Sequence, residues 1–143
     1  MELNPSTELL LDKKTVYYGG RGSQVELCDI LRKDGTFIHV KHYQGSSTLS
    51  HLFNQGLVSA RLVKSDPSFR KCAQNVIDKI EPNCFSLERD SIKLVVFAII
   101  SKFDAARPVI PFFSKVALDA VCSQLGAMDI NVALARIKEV RAD

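Results

Sequence analysis

The stretch QVELCDILRKDGTFIHVKHY, residues 24–43, carries the strongest fold signal in the chain. Its two halves, residues 24–31 and 36–43, are rich in β-branched and aromatic residues, and an Asp-Gly pair lies between them. This combination predicts two neighbouring antiparallel strands joined as a β-hairpin.

The turn of this hairpin can form in two ways, and each way gives a different strand register. Lys33 and Asp34 suit the centre of a type I turn, and Gly35 suits the left-handed residue that follows it. We therefore expect a three-residue loop that pairs Arg32 with Thr36. A two-residue loop at Asp34-Gly35 would pair Lys33 with Thr36 instead.

Further strand and helix patterns lie on both sides of the hairpin. Residues 8–18 predict one strand or two short strands about a turn. Downstream, the patterns predict a helix from near Thr48, a second helix with Pro67 at its first position, a strand over 91–102, a third helix over 112–125 and a last strand over 131–140. The apolar run in 91–102 is typical of a central strand covered on both faces.

This element order predicts an α/β fold. We expect a mixed five-stranded sheet with an N-terminal β-meander and helices packed on it, similar to a restriction-endonuclease core that lacks its first helix. A chain of 143 residues suits one domain, covering 1–143, and 46% hydrophobic with 24% charged residues is a globular balance.

Composition also narrows the cellular setting and the partners. No apolar run reaches about 18 residues, so we expect no membrane partner. The first residues lack a basic start followed by an apolar stretch, and the four cysteines form no CxxC pair. We therefore expect a cytoplasmic protein with reduced cysteines and no structural zinc. The net charge is +3, with one modest basic cluster: Lys33, Lys41, His42, Arg61, Lys64, Arg70 and Lys71.

The hairpin also holds the most suggestive chemical groups. With the three-residue loop, Asp29 lies opposite His39, and Lys41 follows two places along on the same face. Restriction-type nucleases use an acidic residue on one strand and an acid-x-Lys triplet on the next. We expect Asp29 to bind a cation, Lys41 to stabilise the phosphate and help activate water, and His39 to act as a ligand or proton shuttle.

The triplet here begins with histidine, so a second acidic ligand must come from elsewhere. Asp12 and Glu26 are the candidates for holding Mg²⁺ or Mn²⁺ together with Asp29, and Asp12 is the easier to place because Glu26 points to the opposite face of its strand.

Two other interpretations of these residues stay open. Asp29 and Lys41 could form an ordinary cross-strand ion pair. The HxK spacing of His39 and Lys41 also opens the phospholipase D motif, but no aspartate or Gly-Ser-x-Asn element follows at the required distance.

The segment after the hairpin is rich in hydroxyl groups. Ser46 or Ser47 could cap the first helix, and Gln55 lies on the polar side of that helix. Because a helix N-terminus attracts anions, we expect Ser46, Ser47 and Gln55 to bind a phosphate, with simple capping as the alternative.

Several of these segments resemble a known family. They are LLLDKK (9–14), VELCDIL (25–31), GTFIHVKHYQGSSTLSHLFNQGLVSARLV (35–63) and IPFFSKVAL (110–118). They resemble the C-terminal part of a sporadically distributed, uncharacterised family of bacterial proteins in the domain-of-unknown-function class, over residues 9–137. The resemblance implies a stand-alone or truncated version of a longer protein's C-terminal domain, and its sporadic distribution suggests a mobile-element or defence context. The recurrent polar positions that match are Asp12, Glu26, Asp29, His39, Lys41, Ser47, His51 and Gln55.

The sequence therefore leads to two functional hypotheses. The first is a metal-dependent phosphodiesterase that acts on DNA or RNA, with a divalent cation as cofactor. The alternative is a non-catalytic module that binds nucleic acid or a protein, for which a homodimer is one expected assembly.

Overall fold

The computed structural model describes residues 7–11, 14–17, 24–101 and 110–138. Within these ranges the chain forms seven strands and three helices. The strands are β1 (Glu8–Leu10), β2 (Thr15–Tyr17), β3 (Gln24–Glu26), β4 (Ile30–Arg32), β5 (Thr36–His42), β6 (Leu94–Ser101) and β7 (Asn131–Lys138). The helices are α1 (Ser46–Ser65), α2 (Pro67–Ile80) and α3 (Phe112–Gly126).

Five of the strands form one mixed sheet in the order β1-β4-β5-β6-β7. The strands β1, β4 and β5 pair antiparallel, whereas β5, β6 and β7 are parallel. The strands β2 and β3 form a separate antiparallel pair. The predicted mixed five-stranded sheet with antiparallel N-terminal strands is confirmed, and the closer likeness to a restriction-endonuclease core stays a prediction.

The hairpin between β4 and β5 adopts the predicted register. Leu31 lies opposite Phe37 and Ile30 opposite Ile38, which is the register of the three-residue loop. Gly35 has a φ of +96°, and a Cβ atom there would lie 2.6 Å from the carbonyl oxygen of Ser91. Glycine is therefore required at this turn both for its backbone conformation and for its close contact with the segment before β6.

The single strand expected over residues 24–31 is wrong. It divides into β3 and β4, which belong to different sheets. Between them, Leu27 and Cys28 are consecutive and both buried. A straight strand would turn one of two consecutive side chains outward, so the chain bends to bury both. The hydroxyl of Ser59 in α1 donates a hydrogen bond of 2.5 Å to the carbonyl of Leu27 at this bend.

The first two helices differ in how they begin. The predicted start of α2 is confirmed: Pro67 is its first residue, and the Asp66 side chain accepts hydrogen bonds from the amides of Ser68 and Phe69. The helix α1 begins at Ser46, earlier than predicted, because Gly45 with a φ of +113° occupies the N-cap position. The predicted capping by a serine side chain is therefore wrong, since Ser46 and Ser47 lie within the first turn.

All three described helices contribute to one hydrophobic core on one face of the sheet. This core contains Phe37, Phe97 and Ile99 together with buried residues of α1, α2 and α3. The opposite face carries a smaller apolar cluster centred on Ile38 and Ala98, which contains no residue of the described helices. We expected β6 to be covered on both faces, but the described helices cover one face only. None of the described helices is both long and apolar enough to span a bilayer.

Candidate functional site

The carboxyl ends of the parallel strands β5, β6 and β7 meet at one edge of the sheet. At this carboxyl edge, Lys41, Ile99 and Arg136 are neighbours in register across the three strands. Helix α1 begins four residues after β5 ends, so its N-terminus lies near the same edge. In open α/β sheets, ligands bind outside the carboxyl ends of parallel strands, so a ligand site is expected here.

A cleft of about 400 Å³ opens beside the end of β5. We call it the β5 cleft, and its lining is Leu10, Asp29, Ile30, Val40, Lys41, His42, Ile100 and Ile137. Five of these residues are apolar, and the three polar residues come from the bend before β4 and from the end of β5. An apolar floor with a few convergent polar groups is typical of a ligand site.

Asp29 reaches the cleft from a bend that holds the backbone in place. Its amide donates to the carbonyl of Ile38 at 2.9 Å, and its own carbonyl accepts from the amide of Leu11 at 2.7 Å. Its carboxylate Oδ2 accepts a hydrogen bond of 2.6 Å from the amide of Val40. Because β4 begins only at the next residue, the carboxylate supplies the acceptor that a continuing strand would have given to Val40.

Lys41 is half-buried at the end of β5 and lines the same cleft. The ion pairs between described residues are Arg32–Asp34, Lys33–Glu81 and Lys64–Asp90, and none of them includes Lys41. The cross-strand ion pair between Asp29 and Lys41, which the sequence left open, is therefore not one of these three. His42 follows on the strand, is exposed and also lines the cleft.

His39 lies on the other side of the sheet from the floor of the cleft. Only 4% of it is exposed, and its ring stands 5.9 Å from that of Phe97 under helix α1. Burial lowers the pKa of His39 from 6.5 to about 4, so the imidazole is neutral at physiological pH. It does not belong to the lining of the β5 cleft.

A second depression, the α1 groove, separates α1 from the β2–β3 pair. It has a volume of about 330 Å³ and is lined by Thr15, Gln24, Val25, Glu26, His51, Asn54, Gln55 and Val58. Glu26 and Gln55 are therefore together here and apart from Asp29 and Lys41 in the β5 cleft.

Two of the three acidic metal candidates, Asp29 and Glu26, are not brought together. Asp29 lines the β5 cleft, Glu26 lines the α1 groove, and Asp12 lies outside the described residues. In the ranges that the structure describes, no group of three His, Cys, Asp or Glu side chains is placed to hold a metal ion.

The phosphate-binding candidates are also spread along α1. Ser47 is exposed in the first turn, and Ser46 is the first residue of the helix. Gln55 lies about 12 Å farther along the helix axis, at a rise of about 1.5 Å per residue. One phosphate group is too small to contact both ends of this span.

Most side chains of the basic cluster form ion pairs or hydrogen bonds with other residues of the fold. Lys33 pairs with Glu81, Lys64 pairs with Asp90, and Arg70 donates to the carbonyl of Val63. Arg61 donates to the side chain of Gln124 in α3. These four basic side chains therefore link elements of the fold, while Lys41 and His42 stand at the cleft.

No role was predicted for Arg136, which lies two strands from Lys41 with Ile99 of β6 between them. The sequence does contain a signal for it, because Arg136 is the one charged residue within the apolar stretch VALARI, residues 132–137. His42 was assigned only to the basic cluster, although its position at the end of β5 brings it to the cleft.

The chain belongs to the DUF6119 family, described as a family of unknown function, whose model matches residues 2–138. Its predicted membership of an uncharacterised domain family is confirmed. No curated protein and no solved structure matches the chain.

Proposed function

We propose that the β5 cleft binds a phosphate group of a nucleic acid, with Lys41 and His42 as the cationic and hydrogen-bonding contacts. The observation that carries this proposal is the position of Lys41, which lines a cleft at the carboxyl edge and takes part in none of the ion pairs between described residues. A lysine ammonium group is a strong phosphate ligand, and an imidazole N–H can donate to a second phosphate oxygen.

The floor of the cleft favours a nucleic acid over a free phosphate. Leu10, Val40, Ile100 and Ile137 form an apolar surface next to the polar rim, and Leu10 is 51% exposed. A sugar or base attached to the bound phosphate would cover this surface. Burial of apolar area would then add affinity that inorganic phosphate cannot supply.

Binding to fluorescently labelled single-stranded DNA and RNA tests this proposal. We expect Lys41→Met to weaken binding about tenfold, because a hydrogen bond to a charged group contributes roughly 1.5–3 kcal/mol. Lys79→Met is the matched control, since Lys79 is an exposed lysine of α2 outside the cleft. The slope of log affinity against log salt should fall by about one for Lys41→Met. Equal affinities for the two variants would refute the proposal.

The second candidate function is metal-dependent phosphodiester hydrolysis in the same cleft. It is favoured by one observation, the presence of both Asp29 and Lys41 in the lining. In this proposal Asp29 binds Mg²⁺ or Mn²⁺ and Lys41 offsets the charge that develops on the phosphate. Asp12 is the proposed second acid, whereas His39 is enclosed in the core and contributes no contact.

Hydrolysis is tested with mixed DNA and RNA substrates in the presence of Mn²⁺. Asp29→Asn is the informative variant, because an amide oxygen still accepts from the Val40 amide while the negative charge is lost. We expect this variant to fold and to lose cleavage. Cleavage that survives in both Asp29→Asn and Lys41→Met would indicate a contaminant, and an inactive wild type would leave binding as the function.

The expectations of a homodimer and a cytoplasmic location stay predictions. In the described five-stranded sheet β7 pairs with β6 alone, so its other side is an edge that a second copy could extend. Light scattering on the eluting protein tests this, and a monomer at high concentration would remove the dimer proposal.

A further inference from the structure

We propose that Arg136 forms a second anion site, which binds a carboxylate or phosphate group on the helix-covered face of the carboxyl edge. The Arg136 donors lie on the opposite face of the sheet from the floor of the β5 cleft, and Lys41 at the sheet edge borders both sites. Successive residues of a strand point to opposite faces, and the neighbouring Ile137 lines the β5 cleft. Arg136 therefore points to the face that carries the helices.

The guanidinium group of Arg136 holds two donors without an acceptor. Its Nε and Nη2 atoms are buried and have no hydrogen-bond partner in the part of the chain that the structure describes. These two nitrogens lie on one edge of the guanidinium group, and their N–H bonds are parallel. That edge matches two oxygens of one carboxylate or one phosphate.

Buried donors of this kind are expensive unless they are paired. A buried polar group without a partner costs roughly 1–3 kcal/mol, and more when it is charged. Proteins therefore pair nearly all such groups, and an exception calls for a specific explanation. Two unpaired donors on the same edge of one guanidinium group are explained by a bidentate oxyanion.

A second cationic side chain, Lys41, lies two strands away from Arg136. In the register of β5, β6 and β7, Ile99 separates Arg136 from Lys41. Alternation along β5 places Lys41 on the same face as Arg136, and because Lys41 lies at the end of its strand it also lines the β5 cleft. The two strands that carry the cations are about 10 Å apart, which two long side chains can span. None of the ion pairs between described residues includes either cation.

Two helices also begin at this edge. Helix α1 follows the end of β5, and the last turn of α3 lies beside the start of β7, where the amide of Ile130 donates to the carbonyl of Leu125. Because α3 is about 22 Å long and packs along β7, its N-terminus lies near the carboxyl edge. Neither helix has a side-chain cap or an acidic residue in its first turn. Both N-termini therefore favour a bound anion.

Burial restricts the size of this anion. Since both donor nitrogens are shielded from solvent, a ligand reaches them only when neighbouring side chains shift. A small ion or the terminal group of a larger molecule can enter in this way. An internal phosphodiester has a sugar on each side and is too wide, so the ligand is a terminal carboxylate or a terminal phosphate.

Thermal unfolding of the full chain tests the site. We expect the melting temperature to rise by about 3–5 °C in millimolar phosphate or acetate, relative to sodium chloride at the same ionic strength. The comparison of acetate, inorganic phosphate and adenosine monophosphate distinguishes the two ligand types. A melting temperature that none of these anions raises would overturn the proposal.

Arg136→Met removes both donors and should abolish the anion effect. Without anion, this variant should melt no lower than the wild type, because it lacks the unpaired buried charge. Arg32→Met is the control: Arg32 pairs with Asp34 on an exposed part of β4, and its loss should leave the anion effect intact. An equal anion effect in both variants would refute the site.

A second measurement covers the case in which Arg136→Met fails to fold. In ¹⁵N-labelled wild type, the Nε–H resonance of Arg136 should shift in a saturable manner as phosphate or acetate is added. Arginine resonances that all remain unchanged at saturating anion would contradict the proposal directly.

Discussion

The two faces of the five-stranded sheet are similar in sequence and different in structure. On β6, Ile99 points to the helix-covered face and is 3% exposed, whereas Ile100 points to the other face and lines the β5 cleft. Both faces are apolar, but residues of the described helices contribute to the core of the first face alone. Apolar character alone therefore does not tell a packed face from a ligand-binding one. The difference lies in which face the crossover helices cover.

The largest expected effect comes from the matched pair Ile99→Ala and Ile100→Ala. The first change opens a cavity under the helices and should cost about 3 kcal/mol of unfolding free energy. The second removes a half-buried side chain at a cleft and should cost about 1 kcal/mol. Urea denaturation measures both. Equal costs would show that the two faces are packed alike.

The stability of the packing on the helix-covered face should also depend on pH, because His39 is buried there. Its folded pKa of about 4 lies below the unfolded value of 6.5, so the unfolded state binds more protons between these values. Stability is then fully present above pH 6.5 and falls as pH decreases towards 4, by up to about 3 kcal/mol. Urea denaturation at several pH values should show this loss in the wild type. A matching loss in His39→Leu would assign it to other groups.

Gly56 tests the contact between α1 and this face. A Cβ atom at Gly56 would lie 2.5 Å from the ring of Phe97. Because that ring is fixed in the core, Gly56→Ala should cost about 1–3 kcal/mol despite the better helix propensity of alanine. Gly126→Ala in α3 is the control, since nothing lies within 4 Å of the added atom. A stabilising Gly56→Ala would mean that α1 can move away from the sheet.

The smallest expected effect on stability comes from substitutions of Asp29, which lines the β5 cleft. Asp29→Ala leaves the amide of Val40 without its acceptor and should cost about 1–2 kcal/mol. Asp29→Asn keeps an acceptor oxygen and should stay within about 0.5 kcal/mol of the wild type. Thermal unfolding measures both variants, and identical losses would show that charge, rather than the hydrogen bond, is what stabilises the bend.

Local patterns predicted much of the fold. The turn chemistry of Lys33, Asp34 and Gly35 fixed the hairpin register, because a turn is decided by neighbouring residues. The division between β3 and β4 was missed because it depends on the burial of Leu27 and Cys28 under α1, a contact between distant parts of the chain.

The candidate site was harder to predict than the fold. The sequence placed His39 and Lys41 on one face by alternation. It could not show that α1 covers His39 and leaves Lys41 near the sheet edge. Arg136 was missed for the same reason. Lys41 lies two strands away from Arg136, and the two residues come near each other only because β6 pairs with both β5 and β7.

The parallel pairing of β5 with β6 has a consequence for the order of folding. All of α1 and α2 lies between these two strands in the chain, so their pairing must close a long loop before it gains any contact. The β4–β5 hairpin and the β6–α3–β7 unit are more local and should form earlier. We therefore expect the joining of β5 to β6 to limit the folding rate, and substitutions at that seam to slow refolding more than they speed unfolding.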